Sequence, residues 1–572
     1  MTYFKRDRFS GIAPGVAPRL LAEQFAQIAE NIDFESGRLV PIKTDSTTTA
    51  LQASDRRSIF YYRDTNWLEW VTDGISAVPG PIASDTHERL YWTGDTYPKI
   101  GTVTSMISGS SGYPVLGYRL GIPAPTAAPG TTITGTADAE QTPYDVSYVY
   151  TLVTAYGEEG PPSAASTAIL LTDTESVTVA LPAGNNPSGN YNFGSGALKR
   201  VYRSNTGSTN TQFQFVGEVA YSAVELVDTK DGDELGEILA STYWIGPPDD
   251  NTSNYPDGQM QGLCAVGSGV FAGFSGNRFC LSEPYVPHAW PIGYRITTEE
   301  NIVAIASTGN GVAALTNGRP YFITGTDPSA MTVIRLESSE ACVNANSVVD
   351  MGEYVLYASP DGLVAISGTQ AKVVTRGLIS PETWNDDFKP EALRAFKHEG
   401  TYVAFYNTGG SLGGWVFDPR ADEAALSTLS VAAEVRGGHM NPKDGQLYLI
   451  VGSNIVKYRG SSTAKTVEWK SKKFVARYPI SMSWVSVHAD SYPVTIKVWG
   501  DGTLVAHYSL AYASNVYTQT TTTPSGISNA TLREPVMRLP ASSAIEWEVQ
   551  VSGAVNINEV CIAQSMDEIR AL

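Results

Sequence analysis

The chain has 572 residues, of which 42% are hydrophobic and only 17% charged, and it contains 53 glycines, 33 prolines and 30 tyrosines. This length predicts several domains, because single hydrophobic cores stop growing at roughly 250–300 residues, and the composition excludes a disordered or mainly helical chain. A formal charge of −19 excludes a protein whose bulk surface binds nucleic acid, because phosphate binding depends on Lys and Arg.

The N-terminus and the cysteines indicate where the chain folds. Residues 1–9 are basic at their start but contain no apolar segment, so we expect no signal peptide. We also find no apolar run that approaches the roughly 20 residues needed to cross a bilayer. The cysteines are too few and too scattered for a disulfide framework: Cys264, Cys280, Cys342 and Cys561. Buried free thiols are favoured over a cross-strand pair of Cys264 and Cys280, and we expect a soluble protein folded in a cytoplasm.

Residues 1–50 differ from the rest of the chain. After a Pro/Gly-rich extended arm, the good helix formers of Arg19–Glu30 predict a helix. Three apolar residues would share one face of that helix: Leu21, Phe25 and Ile28. Ser36-Gly37 then predicts a hairpin turn. These elements are too small for a core of their own, so they either close their own propeller or pack on a neighbouring subunit.

Five short motifs occur near the N-terminus: Gly11-Ile-x-Pro14, Pro18-Arg-Leu-Leu21, Ala26-Gln27, Asn31 and Glu35-Ser-Gly-Arg-Leu-Val-Pro41. Together they resemble the opening of tail nozzle proteins of short-tailed bacteriophages. Beyond residues 11–41 only the layout agrees, with hairpin repeats, an inserted Ig-like module and a β-rich end. Gly37-Arg38-Leu39 stands where many of those proteins have Gly-Leu directly, which leaves the subfamily open.

The resemblance implies a structural virion protein: the hexameric nozzle that extends the DNA-ejection channel below the portal and adaptor in the viral tail. The implied partners are further copies of the chain, the portal–adaptor ring, and tail fibre or needle proteins, with double-stranded DNA passing through without specific binding. The negative charge is consistent with that passage, because an acidic lumen repels phosphate. We expect the N-terminal arm to contact a neighbouring subunit or the adaptor through Arg19, Leu20 and Phe25.

The next stretches predict part of a β body and an inserted module. Residues 51–121 return to short strands, such as Ser58–Tyr62, and form the first part of a predicted β-propeller body. Residues 122–248 open with a Pro/Ala linker and contain alternating strands such as Asp145–Tyr156. This pattern predicts an inserted fibronectin-III/Ig-like sandwich. A passive spacer is its favoured role, and an adhesive decoration is the alternative.

The remaining residues predict more hairpins. Three dipeptides each separate two apolar runs, which predicts two-residue turns: Asn317-Gly318, Asp361-Gly362 and Asp444-Gly445. Such units without long helices predict repeated four-stranded sheets, so residues 249–473 are interpreted as the rest of an irregular β-propeller or β-platform body. Alternation resumes over residues 474–572 and predicts a C-terminal β-sandwich or closing blades. The predicted fold class is therefore mainly β.

No segment carries a convincing catalytic or metal motif. The six histidines lack zinc-site spacing, and Asp228–Glu237 departs from the calcium-loop pattern, which favours an acidic turn. Glu299-Glu300 and Asp386-Asp387 are adjacent carboxylates, but adjacency in sequence does not set the gap that a glycosidase needs. We expect no catalytic residue, no metal and no cofactor, and a protein that is not an enzyme.

Two alternatives to the nozzle stay open. A receptor-binding or polysaccharide-recognising β-propeller would stack aromatic side chains on sugars, and four residues are candidates: Trp384, Trp415, Tyr402 and Tyr406. Aromatic residues in such strands more often fill blade cores, which is the favoured interpretation of these four. A tail-hub or tube protein of a long-tailed phage would share the structural class but have different neighbours.

Overall fold

A computed structural model describes residues 3–109, 112–183, 190–206, 210–420, 425–523 and 529–570. Strands account for 49% of the structure and helices for 6%, which confirms the mainly β fold class. The chain divides into two compact units, residues 1–61 with 337–572, and residues 62–336. No helix in the described ranges is long and apolar enough to span a membrane.

The N-terminal residues form short strands rather than a helix. In chain order these are β1 (Tyr3–Arg6), β2 (Ala26–Glu30), β3 (Ile32–Asp33), β4 (Val40–Pro41), β5 (Ser46–Ala50) and β6 (Ser58–Tyr62). The helix predicted over Arg19–Glu30 is wrong, because its first half is a series of turns and its second half is β2. An isolated helix of this length is marginal in water, and the sheet hydrogen bonds that β2 makes outweigh its helix propensity.

The hairpin predicted at Ser36-Gly37 is confirmed. Strands β3 and β4 pair in antiparallel fashion on either side of it. Gly37 has a φ of 73°, and its N–H donates to the Phe34 carbonyl at 2.9 Å. A side chain at Gly37 would make this left-handed conformation costly.

The unit of residues 62–336 contains three sheets with the form of propeller blades, each an antiparallel meander of four consecutive strands. Its first elements are β7 (Asn66–Trp70), β8 (Ser76–Pro79), β9 (Leu90–Thr93), β10 (Lys99–Gly101), α1 (Val103–Met106) and β11 (Tyr118–Arg119). After the inserted segment come β20 (Gln261–Gly267), β21 (Val270–Ser275), β22 (Arg278–Leu281), β23 (Ile296–Thr297), β24 (Ile302–Thr308), β25 (Gly311–Thr316), β26 (Tyr321–Thr324) and β27 (Thr332–Arg335). Short 3-10 helices are Ser241–Tyr243, Ile292–Tyr294 and Pro328–Ala330.

The inserted segment forms two three-stranded sheets, β12-β16-β19 and β14-β17-β18, and the pair β13-β15. Its strands are β12 (Gly130–Gly135), β13 (Tyr144–Val146), β14 (Tyr148–Val153), β15 (Ile169–Leu171), β16 (Glu175–Ala180), β17 (Leu198–Thr206), β18 (Thr211–Ala220) and β19 (Glu225–Asp228). Val177, Val179 and Val201 from the two sheets share one hydrophobic cluster. Two sheets facing one core are the arrangement of a β-sandwich.

A buried ionic group ties the sandwich together. The Arg203 guanidinium and the Tyr148 hydroxyl each donate to one oxygen of Asp228 at 2.8 Å. The Arg203 and Asp228 side chains are 2% and 1% exposed. Asp228 is therefore held by two donors from other strands, as expected for a structural residue at the start of an acidic turn.

The other unit resumes at residue 337 with two more four-stranded sheets and, between them in the chain, four consecutive strands that belong to a twelve-stranded sheet. Its elements are β28 (Val349–Asp350), β29 (Val355–Ser359), β30 (Gly362–Ser367), β31 (Gln370–Val373), α2 (Pro381–Asp387), β32 (Leu393–His398), β33 (Thr401–Thr408), β34 (Ser411–Asp418), β35 (Ala425–Leu429), β36 (Val435–Asn441), β37 (Gln446–Val451) and β38 (Asn454–Lys457), with 3-10 helices at Ala345–Ser347 and Pro390–Ala392. Strand β5 from the N-terminus completes the last of these sheets beside β38. Blades of this form make the irregular β-propeller body.

The C-terminal residues form two facing sheets in the same unit. Their elements are β39 (Val467–Ser471), β40 (Phe474–Ile480), β41 (Trp484–Ala489), β42 (Val494–Gly500), β43 (Thr503–Ala513), β44 (Val516–Thr523), β45 (Ala530–Leu532), β46 (Val536–Arg538), β47 (Ala544–Gly553), β48 (Ile557–Ala563) and α3 (Met566–Arg570). One sheet has the order β1-β48-β41-β46. The other is the end of a twelve-stranded sheet, β32-β33-β34-β35-β2-β39-β47-β42-β43-β44-β45, with β40 also paired to β47. Both sheets contribute valines to one cluster, so the region is a sandwich.

The predicted hairpins form, but their connections are not two-residue turns at the three dipeptides. Gly362 begins β30 and pairs with Ser359, so that turn is Pro360-Asp361. Four residues separate the paired strands at Asn317-Gly318 and at Asp444-Gly445.

The four cysteines form no disulfide, and Cys264 pairs across the sheet with Ala272 rather than with Cys280. Cys280, Cys342 and Cys561 are buried as predicted, whereas Cys264 is half-buried.

Two histidines of the unit that contains both termini are shielded from solvent, His398 fully and His439 in part. His398 packs edge-on against Tyr458 with ring centroids 5.0 Å apart, and His439 contacts Phe60 at 4.7 Å. Burial lowers the pKa of each to about 4, because the low-dielectric interior disfavours the imidazolium.

Acid should therefore destabilise this unit through His398. The pKa of an unfolded histidine is near 6.5, so between pH 6.5 and 4 the unfolded state binds the extra proton and folding loses free energy as the pH falls. We expect a contribution of roughly 2–3 kcal/mol between pH 7 and 4 that His398→Gln removes. Urea unfolding of both proteins across this range measures it. The difference between the two proteins isolates the imidazole, because Asp45, whose pKa is raised by desolvation, acts in the opposite direction in both. Parallel pH profiles would contradict the prediction.

Removing the Asp228 carboxylate should loosen the sandwich. Asp228→Ala leaves the buried Arg203 without its counter-charge, a change that costs about 3–5 kcal/mol in comparable sites. Hydrogen exchange of peptides covering β14 and β17 reports the local opening free energy. Asp233→Ala, at an exposed position of the same acidic turn, is the matched control and should exchange like the parent. Equal protection in both variants would show that the pair is dispensable.

Candidate assembly surface

The residues expected to contact a partner lie on a loop that is fixed at both ends. The loop runs from Ala13 to Phe25, and we call it the arm loop. At its base Ile12 bridges Ala26 in parallel pairing, and the Ile12 N–H donates to the Leu426 carbonyl at 2.9 Å. At its other end the Gln24 carbonyl accepts from Ser10 at 2.9 Å. The chain leaves and re-enters the sheet at almost the same place, so the loop must project from it.

Close backbone approach explains the glycine at the base of the loop. A Cβ on Gly11 would lie 2.3 Å from the Leu426 carbonyl oxygen, a distance that no real Cβ contact tolerates. Gly15 is similarly tight, and its N–H donates to the Leu378 carbonyl at 2.7 Å. Gly11 belongs to the first of the motifs that carry the resemblance to nozzle proteins, and its role here is to seat the arm loop.

The far side of the arm loop is fastened to the segment that precedes β40. The Lys473 N–H donates to the Pro18 carbonyl at 3.1 Å, and the Lys472 ammonium donates to the Leu21 carbonyl at 2.5 Å. Leu21 is 3% exposed and anchors the loop in the unit. The loop is therefore held on three sides by hydrogen bonds and one buried leucine.

The three predicted contact residues have different environments. Leu20 is 68% exposed and Arg19 is also exposed, next to the buried Leu21. Phe25 is half-buried, and its N–H donates to the Ala22 carbonyl at 3.2 Å. The structure thus places Arg19 and Leu20 together on an accessible tip, whereas Phe25 belongs to the base of the loop. The helical face predicted for Leu21, Phe25 and Ile28 does not form.

A polar cavity of about 860 Å³ lies beside the arm loop. Two ion pairs lie in its wall. Arg6 is 2.9 Å from Glu23, and Arg420 is 3.0 Å from Asp418. Burial lowers the pKa of Arg6 despite the neighbouring Glu23, whereas the hydrogen bond to Asp418 raises the pKa of Arg420. The Arg6–Glu23 ion pair therefore connects the arm loop to β1.

The aromatic candidates for sugar stacking are not on the surface. Trp384 and Tyr402 are fully buried and Trp415 is 1% exposed. Their rings contact one another, with Trp415 5.7 Å from Trp384 and 5.2 Å from Tyr402. Tyr406 is half-buried and packs against the same cluster. These side chains fill a blade core.

The carboxylate pairs and histidines do not assemble a metal site. Among the described residues, no group of three or more His, Cys, Asp and Glu side chains is placed to hold a metal ion. Glu299 pairs with Arg335 at 2.8 Å, whereas Glu300 accepts from Tyr321 at 3.1 Å. Asp386 and Asp387 are exposed on the short helix α2.

Comparisons with known proteins find no matching family model and no matching curated protein. The chain is similar at low levels to several solved structures, β-propeller domains among them. The WD40 domain of Neurospora crassa Pan2 matches at 8% identity and a TM-score of 0.25, covering 50% of this chain and 87% of that one. YCF48 from Cyanidioschyzon merolae matches at 8% and 0.25, covering 52% and 94%. Glutaminyl cyclase from Myxococcus xanthus matches at 15% and 0.20, covering 35% and 88%.

Adding one methyl group at Gly11 should unseat the arm loop. Gly11→Ala forces the backbone away from Leu426, and we expect a loss of about 1–3 kcal/mol, as for other overpacked positions. Thermal unfolding together with limited proteolysis at Arg19 checks this. Gly309→Ala, where an added Cβ meets nothing within 4 Å, is the control. If Gly11→Ala resists protease as well as the control does, the close approach does not seat the loop.

Proposed function

We propose that this chain is a structural subunit of the tail nozzle of a short-tailed bacteriophage. In this role several copies, six by the resemblance, form a ring that continues the DNA-exit channel below the portal and adaptor in the virion. Tail fibre or needle proteins are the further proposed partners. The chain has no proposed catalytic step.

The observation that supports the proposal is the place of the motif residues in the structure. Gly11 seats the arm loop, and Asn31 joins distant strands: its amide donates to the Ser430 hydroxyl at 2.9 Å and to the Thr466 carbonyl at 3.0 Å. Gly37 forms the hairpin turn that follows. Residues of the motifs that resemble nozzle proteins therefore fix the N-terminal segment to the rest of its unit. The same segment carries the exposed Leu20.

Two physical properties are consistent with a channel wall. Antiparallel sheets packed on shared hydrophobic cores give a stiff subunit, and closed β-arrays leave few free edges for aggregation. The charge of −19 opposes adhesion of DNA, because binding to phosphates requires cations that release counterions from the duplex. DNA would then pass the ring without being held.

The polysaccharide-recognising alternative receives less support. Trp384, Tyr402 and Trp415 are buried in a blade core and have no face available for a sugar ring, and Tyr406 is half-buried against the same cluster. A tail-hub or tube protein of a long-tailed phage would share the strand architecture, and the identity of the ring on which the chain assembles separates it from a nozzle.

The test is assembly on isolated portal–adaptor rings. We expect the purified chain to add a ring of density below them in negative-stain images, and Leu20→Asp to reduce the decorated fraction at least tenfold, because an exposed apolar contact is replaced by a charge. Leu170→Asp is the matched control, since Leu170 is 58% exposed in the other unit, and it should assemble normally.

A chain that ignores portal–adaptor rings but binds bacterial polysaccharide would contradict the nozzle proposal. Assembly that is equally efficient for the parent and Leu20→Asp would retain the nozzle but exclude the arm loop from the contact.

A further inference from the structure

Strand β40 exposes large apolar side chains immediately beside the arm loop. Val475 is 55% exposed and Tyr478 is 68% exposed. Together with Leu20, also 68% exposed, they give three large apolar side chains with more than half of their surface in solvent. Single exposed apolar residues are ordinary, but a cluster of them indicates an interaction surface.

Hydrogen bonds place the arm loop next to the start of β40. The Pro18 carbonyl accepts from Lys473, the residue directly before β40. The side chain of Phe474, the first residue of β40, packs inward against Phe4 with ring centroids 3.5 Å apart. The packing of Phe474 and the hydrogen bond to the loop fix the start of β40. We call the exposed residues of the loop and the strand the arm strip: Arg19, Leu20, Val475, Arg477 and Tyr478.

The arm strip is cationic on a strongly acidic chain. Arg19 and Arg477 are exposed, and no carboxylate in the described parts of the chain forms an ion pair with either of them. The acidic side chains nearby are already paired: Glu546 lies 3.0 Å from Lys473, Glu548 lies 3.0 Å from Lys470, and Glu23 lies 2.9 Å from Arg6. The strip therefore carries two uncompensated positive charges on a chain with 58 acidic and 39 basic residues.

We infer that the arm strip docks on an acidic surface of a second copy of this chain. Tyrosine and arginine are enriched at the buried centre of protein interfaces, and the arm strip contains one tyrosine and two arginines. The remaining surface of an identical chain supplies the negative charge that complements Arg19 and Arg477. Complementary charges raise the association rate and favour one orientation of the two chains. This inference rests on the proposed ring and identifies the face through which neighbouring subunits meet.

Strand addition is not the mode of contact. Strand β40 pairs with β47, but its Pro479 lacks the N–H that a ladder requires and is typical of an edge that avoids pairing. The contact is therefore made by side chains, and its strength depends on charge and on the apolar anchors. Charge-dependent contacts at a surface weaken as salt screens them.

The first experiment measures self-association of the full-length chain. Sedimentation velocity at 50 mM and 500 mM salt should show concentration-dependent association that weakens at least tenfold at high salt. Arg477→Glu should weaken association at least tenfold at low salt, and Tyr478→Ser should weaken it at both salt concentrations. Arg533→Glu makes the same charge change at another exposed arginine of the same unit and should associate like the parent. Circular dichroism and thermal unfolding confirm that each variant is folded.

The second experiment identifies the occupant. A photo-crosslinking amino acid at position 478 should give crosslinks to acidic peptides of a second copy, in the free chain at high concentration and in rings built on portal–adaptor complexes. Crosslinks that go only to the adaptor would overturn the inference and leave the nozzle proposal standing. A parent chain that stays monomeric at all concentrations, and whose rings form equally well with Arg477→Glu, would overturn it as well. Failure of the parent to form any ring, with association intact, would instead count against the nozzle.

Discussion

The structure of the unit that contains both termini depends on the insertion of β2 between β35 and β39. Strand β2 runs parallel to β35 and antiparallel to β39. It thereby joins a four-stranded blade to the C-terminal sheet in one continuous hydrogen-bonded array. Strands β1 and β5 act in the same way, because β1 pairs with β48 and β5 pairs with β38. Fifty N-terminal residues without a core of their own therefore complete three sheets of the unit.

This constraint explains why the arm loop is exposed and yet fixed. Because Ile12 and Ala26 are neighbours at the sheet, the residues between them cannot extend along it and must project. The prolines of the loop limit its conformations, and the hydrogen bonds from Lys472 and Lys473 hold the tip beside β40. A preordered tip loses little conformational entropy on binding, which favours its use as a contact. In the proposed ring, the same element would build the subunit and connect it to its neighbour.

Sequence patterns predicted the local structure better than the long-range pairing. Dipeptides such as Asp361-Gly362 predict hairpins because the turn depends on backbone conformations that only a few residues tolerate. The Arg19–Glu30 helix was wrong because the partners of β2 lie about 400 residues away, beyond any local pattern. The sequence predicts Leu20 as a contact residue, whereas no pattern singles out Val475 or Tyr478. Their exposure follows from how β40 joins β47, and an alternating strand pattern does not show which edge remains open.

The central claim is that the arm loop and β40 form the surface through which this chain assembles. Hydrogen exchange of the chain, measured before and after addition of portal–adaptor rings, tests it most directly. We expect peptides covering residues 13–25 and 474–480 to be more protected from hydrogen exchange in the assembled state. The exchange of the buried strands β42 and β47 should not change. Protection confined to residues 62–336, with the arm loop exchanging as fast as in the free chain, would contradict it.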